Sequence, residues 1–289
     1  MPELPEVETV MRGLVPVMAG ARILRVEQRR ADLRFPFPLR MAERLAGRRI
    51  ASLGRRAKYI LFHLDKDEVL VAHLGMTGRF TINKAATAAF THEAGGDLAH
   101  DHVVFHLAGG AAVTFNDARR FGYMDLLRTG ELATHRFFAD LGVEPMSDDF
   151  TPGYLAARAA GRKVDLKAVL LDQHVIAGVG NIYASEALWR AGLKPERMAA
   201  TLADRAGRPN ARAVALTAAV RSVLADAIAA GGSSLRDYVQ ASGELGYFQK
   251  AHAVYDRTGQ PCRREGCGGT VRRSVQSGRA TFHCPRCQH

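Results

Sequence analysis

The stretch "KYILFHL" (58–64), followed after a charged break by "EVLVAHLGM" (68–76), decides how the first half of this chain folds. Both runs are short and apolar, and both read as strands. The same texture extends from about residue 22 to residue 128, with "RILRVEQ" (22–28), "HVVFHL" (102–107) and "AAVTFND" (111–117) as further strands. "AGGA" (108–111), between the last two, reads as a hairpin turn. Several strands with no helix of useful length between them indicate a β-sandwich or barrel. "NKAATAAFTHEAGGDLAH" (83–100) has no clear period and is expected to be a surface loop.

On the amino-terminal side, "MPELPEVETV" (1–10) opens a helix, because Val7, Val10, Met11 and Leu14 recur at helical spacing. Pro5 is tolerated in a first turn, and Glu6 and Glu8 suit the positive end of the helix dipole. Gly13 and Pro16 are expected to help end it. On the other side, residues 131–152 carry "EPMSDDFTP" (144–152), whose Pro, Ser and Asp residues suggest a linker or hinge. Beyond it, "YLAARAAG" (154–161), "DLKAVLLDQHV" (165–175), "NIYASEALWRAG" (181–192) and "ARAVALTAAVRSVLADAIAAGG" (211–232) are helical in composition and spacing. The expected organisation is therefore 1–130 as a helix plus β-sandwich, 131–152 as hinge, 153–250 as a helical domain and 251–289 as a small separate unit.

A chain of 289 residues favours two domains over one, and 47% hydrophobic residues allow each a real core. The formal net charge of +11 points to a polyanionic partner, with nucleic acid the commonest. No apolar run of roughly 18 residues appears, so no membrane span is expected. The amino terminus lacks the pattern of a signal peptide, and a soluble, cytoplasmic protein is expected. No dimer signal is evident, so a monomer is expected.

All four cysteines lie in the last 28 residues. They are spaced Cys262-x4-Cys267, then sixteen residues, then Cys284-x2-Cys287. Two close pairs can supply four thiolates to one tetrahedral zinc ion, and disulfides do not fit the absent export signal. Between the pairs, "GTVRRSVQSGRATFH" (269–283) reads as two strands around an "SGR" tip, a β-hairpin finger clamped at its base. Residues 251–289 carry seven Arg and two acidic residues, with Arg272, Arg273 and Arg279 on the hairpin itself. That charge favours contact with nucleic acid over a clip that merely folds the tail.

Glycines 178 and 180 stand just before the helix that begins near Asn181. Backbone N–H groups at such a helix start can hold a phosphate, and Lys163 and Lys167 lie one helix upstream. Glycines also occur in ordinary turns between helices, so this feature needs the rest of the constellation.

That constellation resembles a known family. "MPELPEVETV", "RRAKYI" (55–60), "HLGMTGRF" (73–80), "HDHV" (100–103), "RRFG" (119–122), "LGVEP" (141–145), "GVGNIYASEALW" (178–189) and the four-cysteine tail follow in the order found in bacterial formamidopyrimidine-DNA glycosylases. The resemblance covers essentially the whole chain. The related endonuclease VIII group typically has Gly where this chain has Leu4, which favours the purine-repair branch. The resemblance implies an α+β multidomain fold: an N-terminal helix plus β-sandwich, a helical domain with a helix–two-turn–helix motif, and a zinc-binding β-hairpin finger, with DNA in a cleft between domains.

The implied activity is a bifunctional DNA glycosylase and apurinic/apyrimidinic lyase of base-excision repair. Its partner would be double-stranded DNA containing oxidised purines such as 8-oxoguanine and formamidopyrimidines. Removal of Met1 would free the α-amine of Pro2, whose reference pKa is about 7.7–8.0 and whose protonated form the helix dipole further disfavours. This secondary amine can attack a sugar carbon and hold it as an iminium ion. Glu3 can move protons at the sugar ring oxygen; helix-dipole pairing is the other reading for Glu3 and Glu6, and the family also places Glu6 near the lesion pocket. Lys58 matches a proton donor in base release and β-elimination, and Arg279 matches a residue linked to δ-elimination. Chemistry on a base in a duplex requires flipping it out, and Met76, Arg119 and Phe121 match the side chains that fill the vacated stack. Arg119 and His100 match DNA contacts, and Asn181 matches a phosphate contact. Arg162 stands where relatives often carry Lys, Ala118 where they often show Pro, and His283 where Tyr is common. The stretch "GGSSLRDYVQASGELGYF" (231–248) is expected to fold over the flipped base. Two other readings compete: an oxidised-pyrimidine preference of the endonuclease VIII kind, and a non-catalytic damage-binding zinc protein, which the charge and finger fit but the amino terminus does not.

Overall fold

Residues 1–83, 98–233 and 247–289 are described by the computed structural model. Most of the expected surface loop (83–100) and of the expected base-covering stretch (231–248) lies outside the described residues. The chain divides into two units, Met1–Ala139 with Ala230–Tyr247, and Asp140–Ala229 with Phe248–His289. This partition regroups the segments expected from sequence. The 230–247 stretch joins the sandwich, where the Ser233 N–H donates to Glu6 Oε1 at 2.8 Å. The cysteine tail joins the helices. The unit boundary between Ala139 and Asp140 falls inside the expected hinge.

In the first unit, α1 (Leu4–Met18) leads into β1 (Ile23–Gln28), the short α2 (Met41–Leu45), β2 (Ile50–Arg56), β3 (Tyr59–Leu64), β4 (Glu68–His73), β5 (Arg79–Asn83), β6 (Asp101–Leu107), β7 (Ala112–Asn116) and β8 (Tyr123–Arg128). The strands form two four-stranded antiparallel sheets, ordered β1-β6-β7-β5 and β2-β3-β4-β8. The expected sandwich is present. Its core takes Phe62, Leu70 and Met124 from one sheet and Phe80, Phe105 and Phe115 from the other. In β4, Val69, Leu70, Val71 and Ala72 are all buried, so the strand is covered on both faces and reads as a continuous apolar run rather than an alternation.

Helix α1 packs Val7, Val10, Leu14 and Met18 into this core. It does not stop at Gly13 or Pro16, as the sequence suggests, but runs through both to Met18. Pro16 sits one turn from the end, where one lost backbone bond costs less than the burial of Leu14 and Met18 gains.

In the second unit, α3 (Pro152–Ala159), α4 (Leu166–Leu171), α5 (Asn181–Arg190) and α6 (Ala211–Ala229) follow the four helical stretches read from sequence. α3 and α4 start on side-chain caps, with Thr151 accepting from the Tyr154 N–H and Asp165 from the Ala168 N–H. The tail forms a hairpin of β9 (Arg272–Gln276) and β10 (Arg279–His283). Its two-residue turn puts Ser277 at φ 48° and Gly278 at φ 74°, the twist a tight hairpin requires. Among the described residues, no helix is long and apolar enough to cross a membrane.

Candidate functional site

At the amino terminus, Pro2 is buried beneath an exposed Met1. Glu3 is the N-cap of α1 and is 4% exposed. The cap is a reciprocal box: the Glu3 side chain accepts from the Glu6 N–H, and Glu6 Oε2 accepts from the Glu3 N–H at 2.8 Å. Two carboxylates and the positive end of the dipole thus surround the backbone that follows Pro2. Glu8, one turn on, leaves this cluster to bind Arg55 at 2.8 Å and Arg12 at 2.7 Å. Burial raises its carboxyl, but the two guanidinium groups outweigh burial and hold it below the usual range.

Lys58 lies in the turn between β2 and β3, not within a strand as the sequence suggests, next to Ala57 at φ 52°. It is buried at 7% exposure. Arg55, near it in sequence, is held by Glu8 and by the Ala57 carbonyl and not left to solvent. Close to Lys58 is His73, whose ring stacks on Tyr123 at 4.8 Å between centroids. Burial, with the positive charges of Lys58 and Arg34, pulls His73 down to about 3. Its Nδ1 is then free of a proton to accept the Gly75 N–H at 2.9 Å.

Met76, Arg119 and Phe121 sit on two abutting turns. Gly75 takes φ +63°, and a Cβ there would come within 2.3 Å of the Phe121 carbonyl carbon. The turn carrying Met76 therefore rests directly on the backbone of the turn carrying Phe121. Met76 is half-buried, whereas Phe121 is 43% exposed with the Arg119 guanidinium 4.8 Å above its ring. An exposed aromatic capped by an arginine is poorly explained as core. His100, half-buried, ends the short turn Leu98–His100 before β6.

In the second unit the glycine turn is already satisfied from within. The Gly178 N–H donates to Gln173 Oε1 at 2.9 Å, and Gln173 Nε2 donates to the Val179 carbonyl at 2.8 Å. The Gly178 N–H is thus taken up by Gln173, which ties the glycine turn together just ahead of the helix start at Asn181. Asn181 Nδ2 and Lys167 Nζ both donate to the Ala280 carbonyl, at 2.9 and 2.8 Å, and Lys167 also donates to Thr281 Oγ1 at 2.6 Å. Lys167 is no surface lysine: it is 1% exposed, and its amine holds the start of β10, beside the hairpin turn, against α4. Burial first, with help from Arg279, brings its pKa down to about 8. Lys167, Asp165, Gln276 and Arg279 line a pocket of about 280 Å³. Arg279 and Lys163 are exposed, and Arg162 pairs with Asp172 at 2.7 Å.

Cys262, Cys267, Cys284 and Cys287 converge, with all four Sγ atoms within 4.8 Å of one another. The Cys262–Cys287 and Cys267–Cys284 separations are both 3.7 Å. Four thiolates about 2.3 Å from one tetrahedral metal would stand about 3.8 Å apart, so the cluster could hold a metal ion and forms no disulfide. Burial raises the Cys262 thiol, but the Arg264 N–H and the Trp189 indole N–H outweigh it and bring it to about 7. Cys287 is pushed up to about 12 by burial and by its neighbouring thiols. Gly269 is required here: a Cβ would lie 2.7 Å from Cys284 Sγ.

Comparisons with known proteins agree with this arrangement. Residues 1–124 match the family model of the formamidopyrimidine-DNA glycosylase N-terminal domain, and residues 141–239 match that of the formamidopyrimidine-DNA glycosylase H2TH domain. The chain belongs to the formamidopyrimidine-DNA glycosylase family. It is 58% identical to the formamidopyrimidine-DNA glycosylase of Sinorhizobium fredii and 57% identical to that of Rhizobium meliloti, with both chains covered completely in each case. Among solved structures it is similar to a Lactococcus lactis Fpg mutant in complex with a Fapy-dG containing DNA, at TM-score 0.85 and 30% identity over 100% of both chains. It is also similar to MutM (Fpg) from Thermus thermophilus, at TM-score 0.80 and 41% identity over 99% of this chain and 98% of that one.

Within this family frame, sequence reasoning missed three groups. His73 lies in the motif "HLGMTGRF", but nothing in its spacing reveals the stacking on Tyr123. Glu186, inside "NIYASEALW", is 1% exposed and accepts the N–H groups of Ala253, Val254 and Tyr255 at 2.8, 2.9 and 2.8 Å. Asp117, between "AAVTF" and "RRFG", is fully buried. A lone acid in a helix or loop carries no sequence signal for partners so far along the chain.

Proposed function

We propose that this chain is a base-excision-repair DNA glycosylase and apurinic/apyrimidinic lyase acting on oxidised purines in double-stranded DNA. The observation that carries this reading is the amino terminus, with Pro2 and Glu3 buried at the positive end of α1 and Glu6 closing the cap. After Met1 is removed, the Pro2 amine attacks C1′ of the damaged nucleotide as the bond to the base breaks. Glu3 passes a proton to the ring oxygen as the sugar opens, leaving an iminium ion between Pro2 and C1′. Lys58 supplies the proton that the departing base requires. Loss of the 3′-phosphate by β-elimination and of the 5′-phosphate by δ-elimination, the latter assisted by Arg279, releases the sugar. Hydrolysis of the iminium ion then frees the sugar remnant from Pro2 and returns its amine.

Met76, Arg119 and Phe121 fill the space left by the flipped base, and His100, Arg119, Arg162, Lys163 and Asn181 grip the backbone. Lys167 contributes its charge to the Arg279 pocket while its own donors stay within the protein. The metal held by Cys262, Cys267, Cys284 and Cys287 is zinc, which clamps the base of the hairpin and takes no part in the chemistry. The enzyme works as a cytoplasmic monomer at the nucleoid.

Incubation with a duplex containing 8-oxoguanine and borohydride tests this reading. The expected result is a covalent adduct mapping to Pro2. Intact binding without an adduct, in protein shown to lack Met1, would leave a damage-binding protein instead. Faster excision from oxidised-pyrimidine duplexes would place the specificity in the endonuclease VIII branch.

A further inference from the structure

Asp117 follows β7 and is 0% exposed, and each of its polar atoms is occupied. Its N–H donates to the His100 carbonyl at 3.0 Å. Its carbonyl meets His102 Nε2 at 2.9 Å and accepts the Arg120 N–H at 3.2 Å. Oδ1 accepts the Thr77 hydroxyl at 2.5 Å, and Oδ2 accepts the Gly122 N–H at 2.7 Å. Thr77 Oγ1 in turn accepts the Arg119 N–H at 3.1 Å. Asp117 thus joins three separate segments: its backbone N–H meets the end of the turn at His100, and its carboxylate, extended by the Thr77 hydroxyl, ties the turn 74–78 to the turn 117–122.

Those three segments carry His100, Met76, Arg119 and Phe121. Together these are the side chains of the first unit to which the proposed function assigns DNA contact and stack filling. Arg120, between two of them, holds a left-handed φ of 58°. A bulky residue keeps such a conformation only where its surroundings over-determine it, and the bonds from Asp117 to Arg120 and Gly122 do so. Side chains that enter a base stack must arrive together, because an ill-placed wedge leaves room for the base to return.

Resting on the proposed function, we propose that Asp117 and Thr77 are positioning residues that hold the Met76 turn and the Arg119–Phe121 turn in register, so that their side chains enter the duplex as one unit. Neither residue touches the reacting atoms. Their effect belongs to base extrusion in duplex DNA and not to the amine chemistry at Pro2.

The experiment compares Thr77→Val, Thr77→Ser and wild type in two reactions. The first is single-turnover excision of 8-oxoguanine from a duplex, which needs the void filled. The second is borohydride trapping on a single-stranded oligonucleotide containing an abasic site, which has no stack to fill. Loss of the bond to the buried carboxylate, together with the one accepted from the Arg119 N–H, should slow duplex excision by Thr77→Val about tenfold or more. Thr77→Ser, which keeps the hydroxyl, should stay within about twofold of wild type, and trapping should be unchanged in both variants. Met76→Ala, which removes one filling side chain outright, should also slow duplex excision. Equal losses in both reactions, or no loss in either, would overturn the proposal. A wild type that traps nothing on either substrate refutes the proposed activity and the inference with it, whereas an active wild type with an unaffected Thr77→Val refutes the inference alone. Asp117→Asn gives a second variant should Thr77→Val fail to fold, with the same split expected.

Discussion

Glu186→Gln is the substitution whose cost can be worked most directly from the geometry. Glu186 Oε1 accepts the N–H groups of Val254 and Tyr255 at 2.9 and 2.8 Å, and Oε2 accepts that of Ala253 at 2.8 Å. In glutamine one oxygen keeps two of these bonds, but the amide nitrogen faces the third N–H donor to donor. A buried donor left without an acceptor costs about 1–3 kcal/mol, and two bonds weakened from charged to neutral lose about 1 kcal/mol each. The opposing contribution is the buried charge itself. Burial raises the Glu186 carboxyl in spite of its three donors, so the neutral side chain recovers part of the loss. The net expectation is a destabilisation of about 2 kcal/mol. Trp189, the single tryptophan, reports it, because its indole N–H donates to Cys262 Sγ at 3.3 Å and the Arg264 guanidinium lies 5.1 Å above its ring. Urea unfolding followed by Trp189 fluorescence should show a lower midpoint in Glu186→Gln, with faster loss of metal to a chelator. An unchanged midpoint and unchanged chelation rate would show that the three N–H groups find water, and that α5 does not hold the cysteine tail through this carboxylate.

Other outcomes follow from the same unit. Cys284→Ser, or removal of the metal, should loosen the hairpin and weaken DNA binding, measured by fluorescence anisotropy on a labelled duplex; full affinity in metal-free protein would make the finger dispensable. Lys167 has its pKa lowered to about 8, so its charge fades as pH rises through that value. Because its folded pKa lies below its unfolded one, the unfolded chain binds the extra proton, and the cost of burying this charge is present below about pH 8 and relieved from there to about pH 10.5. The slope of log affinity against log salt should shrink by at most about 0.7 between pH 7 and pH 9, the share of one charge lost across a pKa of about 8, and this change should vanish in Lys167→Gln. An identical shrinkage in Lys167→Gln would assign it to another group.

What the sequence made legible follows the range over which its signals act. The runs at 58–64 and 68–76 fall on β3 and β4 because both strands are covered on two faces, and burial on two faces leaves an unmistakable apolar run. The cysteine spacing is equally local, since each pair sits on one turn. By contrast β2, "IASLGRR", is half-exposed and ends in two arginines, and only its pairing with β3 makes it a strand. Helix α1 outruns Gly13 and Pro16 because tertiary burial outweighs local propensity.

The candidate site divides in the same way. Pro2, Glu3, Lys58 and the cysteines are marked by their motifs, whereas the buried acids behind the site are tied to partners far along the chain. Glu6 reaches Ser233 across 227 residues, Asp117 reaches Thr77 across 40, and Glu186 reaches Val254 across 68. Each of these acids takes a backbone N–H from outside its own helix or strand, and in sequence each passes for helix-dipole pairing or an ordinary polar position. A buried carboxylate is expensive unless its oxygens are met, so its location on the fold is fixed by its partners and not by its neighbours in the chain. This makes Glu6, Asp117 and Glu186 the positions where a substitution that looks conservative in sequence should disturb the site most. The Thr77→Val and Glu186→Gln experiments probe that expectation at separate places, the first through base extrusion and the second through the cysteine tail.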